Sequence, residues 1–318
     1  MDSTGHCPIC YSTEEKIWLG KTTLVFGTEY DFVECPTCGV IYFSPMPTTA
    51  QLATFYSAAY YNFDRWHGEG RGMAFARQLK RWKATGKFLD VGCATGFFIH
   101  GIQQHSQWEV YGIDFGASAV QFARTELGLN VQVGDLAAAH FPSHYFDYIH
   151  VNNVLEHVPN PLAVLQECYR IVKPDGLLYL SVPNGFADSR DLISFYNEEH
   201  KPARSKHGHI FFFPKQTLLY LFNKIGFEIM KRQTYGWKRG LRSVGKFPRK
   251  RDWKTGYYPC TVPESSAYTG ELTIPERKKK RGDWYYYYRF WRGNWQRMPG
   301  LYNIGLDFLF LLRAKKEA

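Results

Sequence analysis

The sequence predicts an α/β fold with a doubly wound, parallel sheet, on three observations. Short apolar strands separated by helices recur between residues 87 and 184. The first of these strands ends in Asp90, and the chain then turns through glycines before an apolar helix begins. The chain has 318 residues and is 45% hydrophobic, which allows one such core with small additions. The sequence contains no stretch of 18 apolar residues, so it predicts no membrane-spanning helix.

The first strand and its turn predict a ligand site. Asp90, Gly92 and Gly96 have the spacing Asp-x-Gly-x-x-x-Gly. Glycines let the backbone approach a ligand at the carboxyl end of a parallel strand, where open α/β sheets bind nucleotides. This spacing differs from the Gly-x-Gly-x-x-Gly that cradles the phosphates of a dinucleotide. An acidic residue at the turn instead indicates a ligand with a cationic centre and hydroxyl groups.

Carboxylates also follow the next two strands. A strand over residues 108–113 ends in Asp114, 24 residues after Asp90, where a carboxylate binds the two hydroxyls of a ribose. Phe115 follows directly and is expected to lie against a purine ring. A third strand over residues 131–133 leads to Asp135, which is placed to bind an adenine amino group.

The remaining elements continue the alternation of strands and helices. In chain order we expect a strand at 148–151, a helix at 161–172, a turn at 173–176, a strand at 177–182, a helix at 215–225 and a strand at 227–234. The segment between the fourth strand and the following helix carries several polar side chains, so it is the second predicted part of the site.

With these motifs the chain resembles the class I S-adenosylmethionine (SAM) dependent methyltransferases, and it is similar to their small-molecule branch. The matching motifs keep the family's order and lie at residues 89–96, 112–114, 134–135, 153–161 and 173–176. A single short glycine pattern recurs by chance, whereas five in register are specific. The resemblance implies a Rossmann-like sheet of seven strands whose last strand, expected at residues 306–312, is antiparallel.

The resemblance also implies SAM as the cofactor. The implied cofactor-binding residues follow the first four strands of the sheet, and they are Asp90, Gly92, Cys93, Ala94, Gly96, Asp114, Phe115, Asp135, Leu136 and Asn152. Ala94 stands where many members of the family carry a third glycine, and alanine is small enough to preserve binding. Because SAM is already an activated methyl donor, such an enzyme mainly binds, aligns and desolvates the reactants.

Two histidines compete for the role of a base that takes a proton from the acceptor. Histidine is suited to this role because it titrates near neutral pH. His157, with Glu156 beside it, follows the fourth strand, where class I enzymes place the acceptor, and it is the favoured base. His209 lies in a Gly-His-x-x-Phe-Phe run that the family also contains. The alternative for either one is a capping or buried, hydrogen-bonded histidine.

A second interpretation of this segment is a metal site. Asn153, Glu156, His157 and His209 offer oxygen and imidazole ligands for one divalent cation. Some related methyltransferases bind a metal through Glu-x-x-Glu-His and a later histidine. Asn153 replaces the first glutamate here, which lowers the charge of such a site and argues against a metal.

The amino terminus carries a separate metal motif. Cys7, Cys10, Cys35 and Cys38 form two Cys-x-x-Cys pairs with 24 residues between them, as a tetrahedral structural zinc requires. The chain has 7 cysteines, an odd number, and we expect no signal peptide, so zinc in a reducing cytoplasm is favoured over disulfides. Members of the family in bacterial sugar and natural-product pathways carry such a module.

These features predict five segments: a zinc ribbon at 1–45, a helical cap at 46–86, a SAM-binding core at 87–236, a basic aromatic insertion at 237–300 and a final core strand at 301–318. Residues 231–300 hold 18 Lys and Arg against 5 Asp and Glu, although the whole chain has a net charge of only +10. The insertion is interpreted as a lid over an acidic or nucleotide-linked acceptor, as a segment that contacts an anionic membrane surface, or as a binding site for nucleic acid. The lid is favoured, because the insertion borders the acceptor side, and nucleic acid is disfavoured.

The function that the sequence predicts is SAM-dependent O-methylation of a small hydroxylated acceptor, a sugar or a natural product. The alternatives are C-methylation of a keto-sugar, modification of nucleic acid, and SAM binding without catalysis. Methylation of base amino groups is disfavoured, because no Asn/Asp-Pro-Pro-Tyr motif follows the fourth strand.

Overall fold

The computed structural model describes residues 5–24, 28–52, 65–204, 208–235 and 307–315. The elements in chain order are β1 (Ile17–Thr23), β2 (Glu29–Glu34), β3 (Ile41–Ser44), α1 (Arg65–Trp82), β4 (Lys87–Val91), α2 (Phe97–His105), β5 (Glu109–Asp114), α3 (Ala117–Leu127), β6 (Asn130–Val133), β7 (Phe146–Asn152), a 3₁₀ turn (Leu155–His157), α4 (Pro161–Ile171), β8 (Val172–Pro183), α5 (Gly185–Glu199), β9 (Ala203–Arg204), β10 (Phe211–Phe212), α6 (Lys215–Ile225), β11 (Phe227–Tyr235) and β12 (Asp307–Ala314).

The larger sheet has seven strands in the order β11-β12-β8-β7-β4-β5-β6. The five strands from β8 to β6 are parallel to one another. β12 runs antiparallel to both of its neighbours, β8 and β11. The Rossmann-like sheet with an antiparallel last strand is therefore confirmed.

Apolar clusters cover both faces of this sheet. Phe88 and Leu89 are adjacent on β4 and fully buried, and each belongs to a different cluster. Successive side chains of a strand point to opposite faces, so a strand that is buried on both sides needs an unbroken apolar run. α1, α2 and α3 supply buried residues to one cluster, and α4 and α6 supply them to the other.

Sequence signals at the helix ends account for several boundaries. The side chain of Asn160 accepts a hydrogen bond from the backbone of Ala163, and Pro161 occupies the first turn of α4. α3 and α6 are followed directly by Gly128 and Gly226, which have φ of 63° and 105°. Glycine reaches such left-handed conformations at little cost, so these helices end one residue before it.

β8 differs from the prediction, because the expected turn at residues 173–176 is part of the strand. The pairing partner of Phe146 is Val172, whereas that of Tyr148 is Leu177. The register thus shifts by three residues, and the extra residues form an irregularity at the start of β8. α5, in contrast, was not predicted at all.

The smaller sheet joins the amino-terminal module to the core. Its order is β10-β3-β2-β1-β9, so strands from both parts of the chain are hydrogen-bonded in one sheet. Phe211 and Phe212 of β10 pair with Tyr42 and Ile41 of β3. The hydroxyl of Thr217 also donates to the carbonyl oxygen of Cys38 at 2.6 Å. The cysteine-bearing module therefore supports the segment that precedes α6.

The insertion predicted at residues 237–300 lies outside the described residues, and so does the start of the final segment, 301–306. Among the described helices, none combines the length and the apolar character needed to cross a bilayer.

Candidate active site

The glycine turn after β4 packs against the loop that follows β7. Gly92 and Gly96 have φ of 77° and 76°, a conformation that strongly favours glycine. A Cβ atom on Gly92 would lie 2.7 Å from Cγ2 of Val154. The turn predicted to hold the cofactor is therefore in contact with the segment that carries Glu156 and His157.

Asp114 holds this turn in place. One of its carboxylate oxygens accepts a hydrogen bond from the backbone N–H of Ala94, and the other accepts one from Gly116, both at 2.8 Å. Ala94 has a φ of 50°, which costs a non-glycine residue about 1–2 kcal/mol. Each carboxylate oxygen has a second lone pair, so Asp114 retains acceptor capacity for ribose hydroxyls.

Asp90 is buried in the core beneath the turn. Its carboxylate accepts a hydrogen bond from Nδ1 of His150 at 2.7 Å, and both residues are at most 5% exposed. The His150 ring lies between Phe98 and Tyr179, with centroid distances of 4.7 and 4.8 Å. His150 was missed by the sequence analysis. The sequence feature that could have revealed it is a histidine within the otherwise apolar fourth strand, β7, which lies next to β4 in the sheet.

The other predicted cofactor-binding residues lie at neighbouring strand ends. Phe115 is 48% exposed, so its ring is accessible to a planar ligand. Cys93 and Leu136 are buried, and Asn152 ends β7. Asp135 is exposed and accepts a hydrogen bond from the backbone of Ala138 at 2.7 Å. Because the parallel strands end at one edge of the sheet, these residues lie at the same edge as the glycine turn.

The three predicted catalytic residues meet on the far side of that turn. Glu156 and His157 lie in the 3₁₀ turn after β7, and His209 lies just before β10. The backbone N–H of Ile210 donates to the carbonyl oxygen of Glu156 at 2.8 Å, which holds the two segments together. The His157 and His209 rings are 4.7 Å apart, measured between centroids.

Glu156 is a buried acid whose uncharged form is favoured. Its side chain is 1% exposed, and neither carboxyl oxygen has a hydrogen-bond partner among the described residues. Burial raises its pKa to about 8, against the opposing effect of His209. A buried polar group of this kind indicates a ligand site, because such groups are normally hydrogen-bonded.

The partners of the two histidines define their tautomers. Nδ1 of His157 lies 3.1 Å from the carbonyl oxygen of Gly208, and Nδ1 of His209 lies 2.6 Å from a carboxylate oxygen of Asp188. Both partners only accept hydrogen bonds, so Nδ1 is the donor in each ring and Nε2 is the basic nitrogen. Asp188 lies on α5 and was missed together with that helix.

The same three residues also satisfy the geometry of a cation site, since their ligand atoms lie within 4.8 Å of one another. Asn153, which replaces the first glutamate of the metal-binding pattern, is exposed with a φ of 55°. Its backbone N–H donates to the carbonyl oxygen of Ser181.

The four cysteines of the amino-terminal module converge as the spacing predicts. The Sγ–Sγ distances are 3.7 Å for Cys7 and Cys38 and 3.6 Å for Cys10 and Cys35. Zinc–sulfur bonds of about 2.3 Å in a tetrahedron place the sulfur atoms about 3.8 Å apart, whereas a disulfide brings them to about 2.05 Å. The four thiols therefore fit a zinc ion.

Comparison with known proteins identifies the class. The family described as a methyltransferase domain matches residues 71–232, about half of the chain. The chain therefore belongs to this family of methyltransferase domains.

Curated relatives match part of the core. The ubiquinone biosynthesis O-methyltransferase of Neisseria meningitidis serogroup A is 34% identical over 107 residues, which are 31% of this chain and 44% of that protein. The enzyme of the same name from Pectobacterium atrosepticum is 36% identical over 104 residues, 31% of this chain and 43% of its own. The chain thus matches less than half the length of these relatives.

Among solved structures, a SAM-dependent methyltransferase from Archaeoglobus fulgidus is 18% identical with a TM-score of 0.43, and the alignment covers 76% of this chain and 94% of that one. A SAM-dependent methyltransferase from Mesorhizobium loti is 12% identical with a TM-score of 0.45, over 75% and 95% of the two chains.

Proposed function

We propose that this enzyme methylates a hydroxyl oxygen of a small acceptor, a sugar or another natural product. The observation that carries the proposal is the contact between the glycine turn and the loop that leads to Glu156, His157 and His209. This contact supports the proposal, because the loop carries titratable side chains, one of them a buried acid that makes no hydrogen bond to a described residue, and it adjoins the predicted donor site. The names of the relatives, which are O-methyltransferases, support oxygen as the acceptor atom.

The residues of the chain divide the work between two sides of the site. On the donor side, Asp114 fixes the turn around Ala94 and would accept the ribose hydroxyls, and Phe115 would bind the adenine. SAM, when bound, supplies a methyl group on a positively charged sulfur, which leaves as a neutral thioether. On the acceptor side, a histidine of the cluster takes the hydroxyl proton as the oxygen forms its bond to the methyl carbon. Glu156, whose pKa is raised by burial, would donate a hydrogen bond to the acceptor in its protonated form.

The amino-terminal module is proposed to bind a structural zinc through Cys7, Cys10, Cys35 and Cys38. All four ligands come from the protein, so the site is closed and supports the smaller sheet without taking part in chemistry. Because this sheet includes β10, the zinc would also hold the segment that carries His209.

The insertion at residues 237–300 is proposed as a lid, and its positive charge favours an acidic or nucleotide-linked acceptor. Peripheral contact with an anionic membrane would rest on the same basic and aromatic residues.

The test is a screen for acceptors. Calorimetry with SAM and S-adenosylhomocysteine establishes donor binding, and release of S-adenosylhomocysteine is then measured with nucleotide sugars, free sugars and phenols. We expect acceptor-dependent release with one hydroxylated class. Donor binding without release from any of them would contradict the proposed function.

A further inference from the structure

The two histidines of the cluster differ in the group that holds Nδ1. Behind His157 is the neutral carbonyl of Gly208, at 3.1 Å, and behind His209 is the carboxylate of Asp188, at 2.6 Å. A hydrogen bond to an ionised acceptor is shorter and about twice as strong as one between neutral groups. Of these two Nδ1 partners, the Asp188 carboxylate is the one that carries a negative charge, which stabilises a protonated ring by direct hydrogen bonding.

Asp188 is positioned for this role by α5. It lies in the first turn of the helix, where the backbone N–H groups favour a negative charge. Its side chain is 23% exposed, and the His209 side chain is 11% exposed, so the bond is largely protected from water. α5 thus brings the Asp188 carboxylate to the His209 ring, which lies on a different segment of the chain.

The other groups around His209 do not replace Asp188. Glu156 and His157 face the ring from the 3₁₀ turn, and Asp307 contributes a negative charge from β12. Neither carboxyl oxygen of Glu156 makes a hydrogen bond to a described residue. The contact that fixes the tautomer of His209 is therefore the bond to Asp188.

We infer that His209, and not His157, is the base of the reaction, and that Asp188 is the positioning residue that makes it so. The inference rests on the proposed function. The acceptor oxygen gives its proton to Nε2 of His209, and the electron pair left on oxygen forms the bond to the methyl carbon. The bond from this carbon to the sulfonium sulfur would break, and its electron pair would go to sulfur to give the neutral thioether. Asp188 keeps Nδ1 protonated, so that Nε2 is the nitrogen able to accept, and it stabilises the resulting imidazolium. His157 then supports the His209 ring by packing against it.

The test compares Asp188→Asn and Asp188→Glu with the wild type. The matched control is Glu69→Gln, because Glu69 also accepts from a histidine, Nδ1 of His100 at 2.8 Å, but on α1 and α2. For each variant the pH profile of kcat/KM is measured with the acceptor from the screen, together with the affinity for S-adenosylhomocysteine. Nitrogen-15 NMR of the imidazole rings gives the tautomer and pKa of His209 without any turnover.

In Asp188→Asn we expect the plateau of kcat/KM to fall about 10- to 1,000-fold, with unchanged donor affinity. The midpoint of the profile and the pKa of His209 should both move to lower pH, and the Nε2-accepting tautomer should no longer dominate. Asp188→Glu should restore most of the activity, and Glu69→Gln should leave the midpoint in place.

An unchanged midpoint and tautomer in Asp188→Asn would overturn the inference, even if activity dropped. So would loss of activity in His157→Gln but not in His209→Gln. If the wild type methylates no hydroxylated acceptor, the proposed function fails, and the NMR titration still decides whether Asp188 sets the tautomer and pKa of His209.

Discussion

Asp114 is the residue whose replacement most directly tests the donor site. Its carboxylate makes two hydrogen bonds to backbone N–H groups, at Ala94 and Gly116, and one of them holds the left-handed conformation of Ala94. Asp114→Ala removes both bonds as well as the acceptor for the ribose. Hydrogen bonds to a charged group contribute about 1.5–3 kcal/mol each, and the lower end applies because Asp114 is partly exposed.

Losing the equivalent of one or two such bonds to the ribose lowers the binding free energy by about 1.5–3 kcal/mol, which raises the Kd for S-adenosylhomocysteine about 10- to 150-fold. Isothermal titration calorimetry measures this directly, and a thermal melt without ligand shows whether the fold persists. Asp31→Ala is the control, since Asp31 accepts a bond from the Trp18 ring in the smaller sheet and should leave the Kd unchanged. An Asp114→Ala protein that binds within threefold of the wild type would refute the reasoning.

Three further predictions concern metal, pH and backbone. Wild-type protein should contain about one zinc per chain by elemental analysis, and Cys35→Ser should lose it. The control is Cys168→Ala, which changes a buried cysteine outside the cluster and should keep the zinc. Equal zinc contents in the two variants would exclude the site. Glu156 has a folded pKa of about 8 against an ordinary value of 4.5, so its favourable contribution to stability is present below pH 4.5 and is lost between pH 4.5 and 8. Glu156→Gln should therefore gain stability relative to the wild type over that range, by a few kcal/mol in denaturant titrations, and a parallel pH dependence of the two proteins would contradict this. Gly92→Ala places a Cβ 2.7 Å from Val154 at a φ of 77° and should weaken S-adenosylhomocysteine binding at least tenfold in calorimetry, whereas unaltered binding would show that the turn relaxes freely.

The central sheet could be predicted from the sequence because its signals are local. Each parallel strand is an apolar run that ends at, or one residue before, an acidic, glycine or asparagine residue. Gly92 and Gly96 occupy conformations that strongly favour glycine. The shape of β8 could not be predicted in the same way. Residues 173–176 have the composition of a turn, and only the pairing of β8 with β7 shows that they form an irregularity within a strand.

Half of the candidate site depends on contacts between distant segments, which sequence patterns do not reveal. His150 reaches Asp90 because β7 lies beside β4, and Asp188 reaches His209 because α5 packs beneath the loop before β10. The joining of β10 to β3 is equally non-local. The four cysteines were predictable, since their spacing alone defines two metal-binding turns.

The position of the transferred methyl group in the product tests the proposed O-methylation most directly. Wild-type enzyme is incubated with SAM labelled with carbon-13 in the methyl group and with the acceptor found in the screen, and the product is examined by NMR. We expect a methyl ether, with the label bound to oxygen, and a much slower appearance of the same product with His209→Gln. A label bound to carbon or nitrogen would contradict O-methylation, and undiminished formation of the ether by His209→Gln would contradict the assignment of the base.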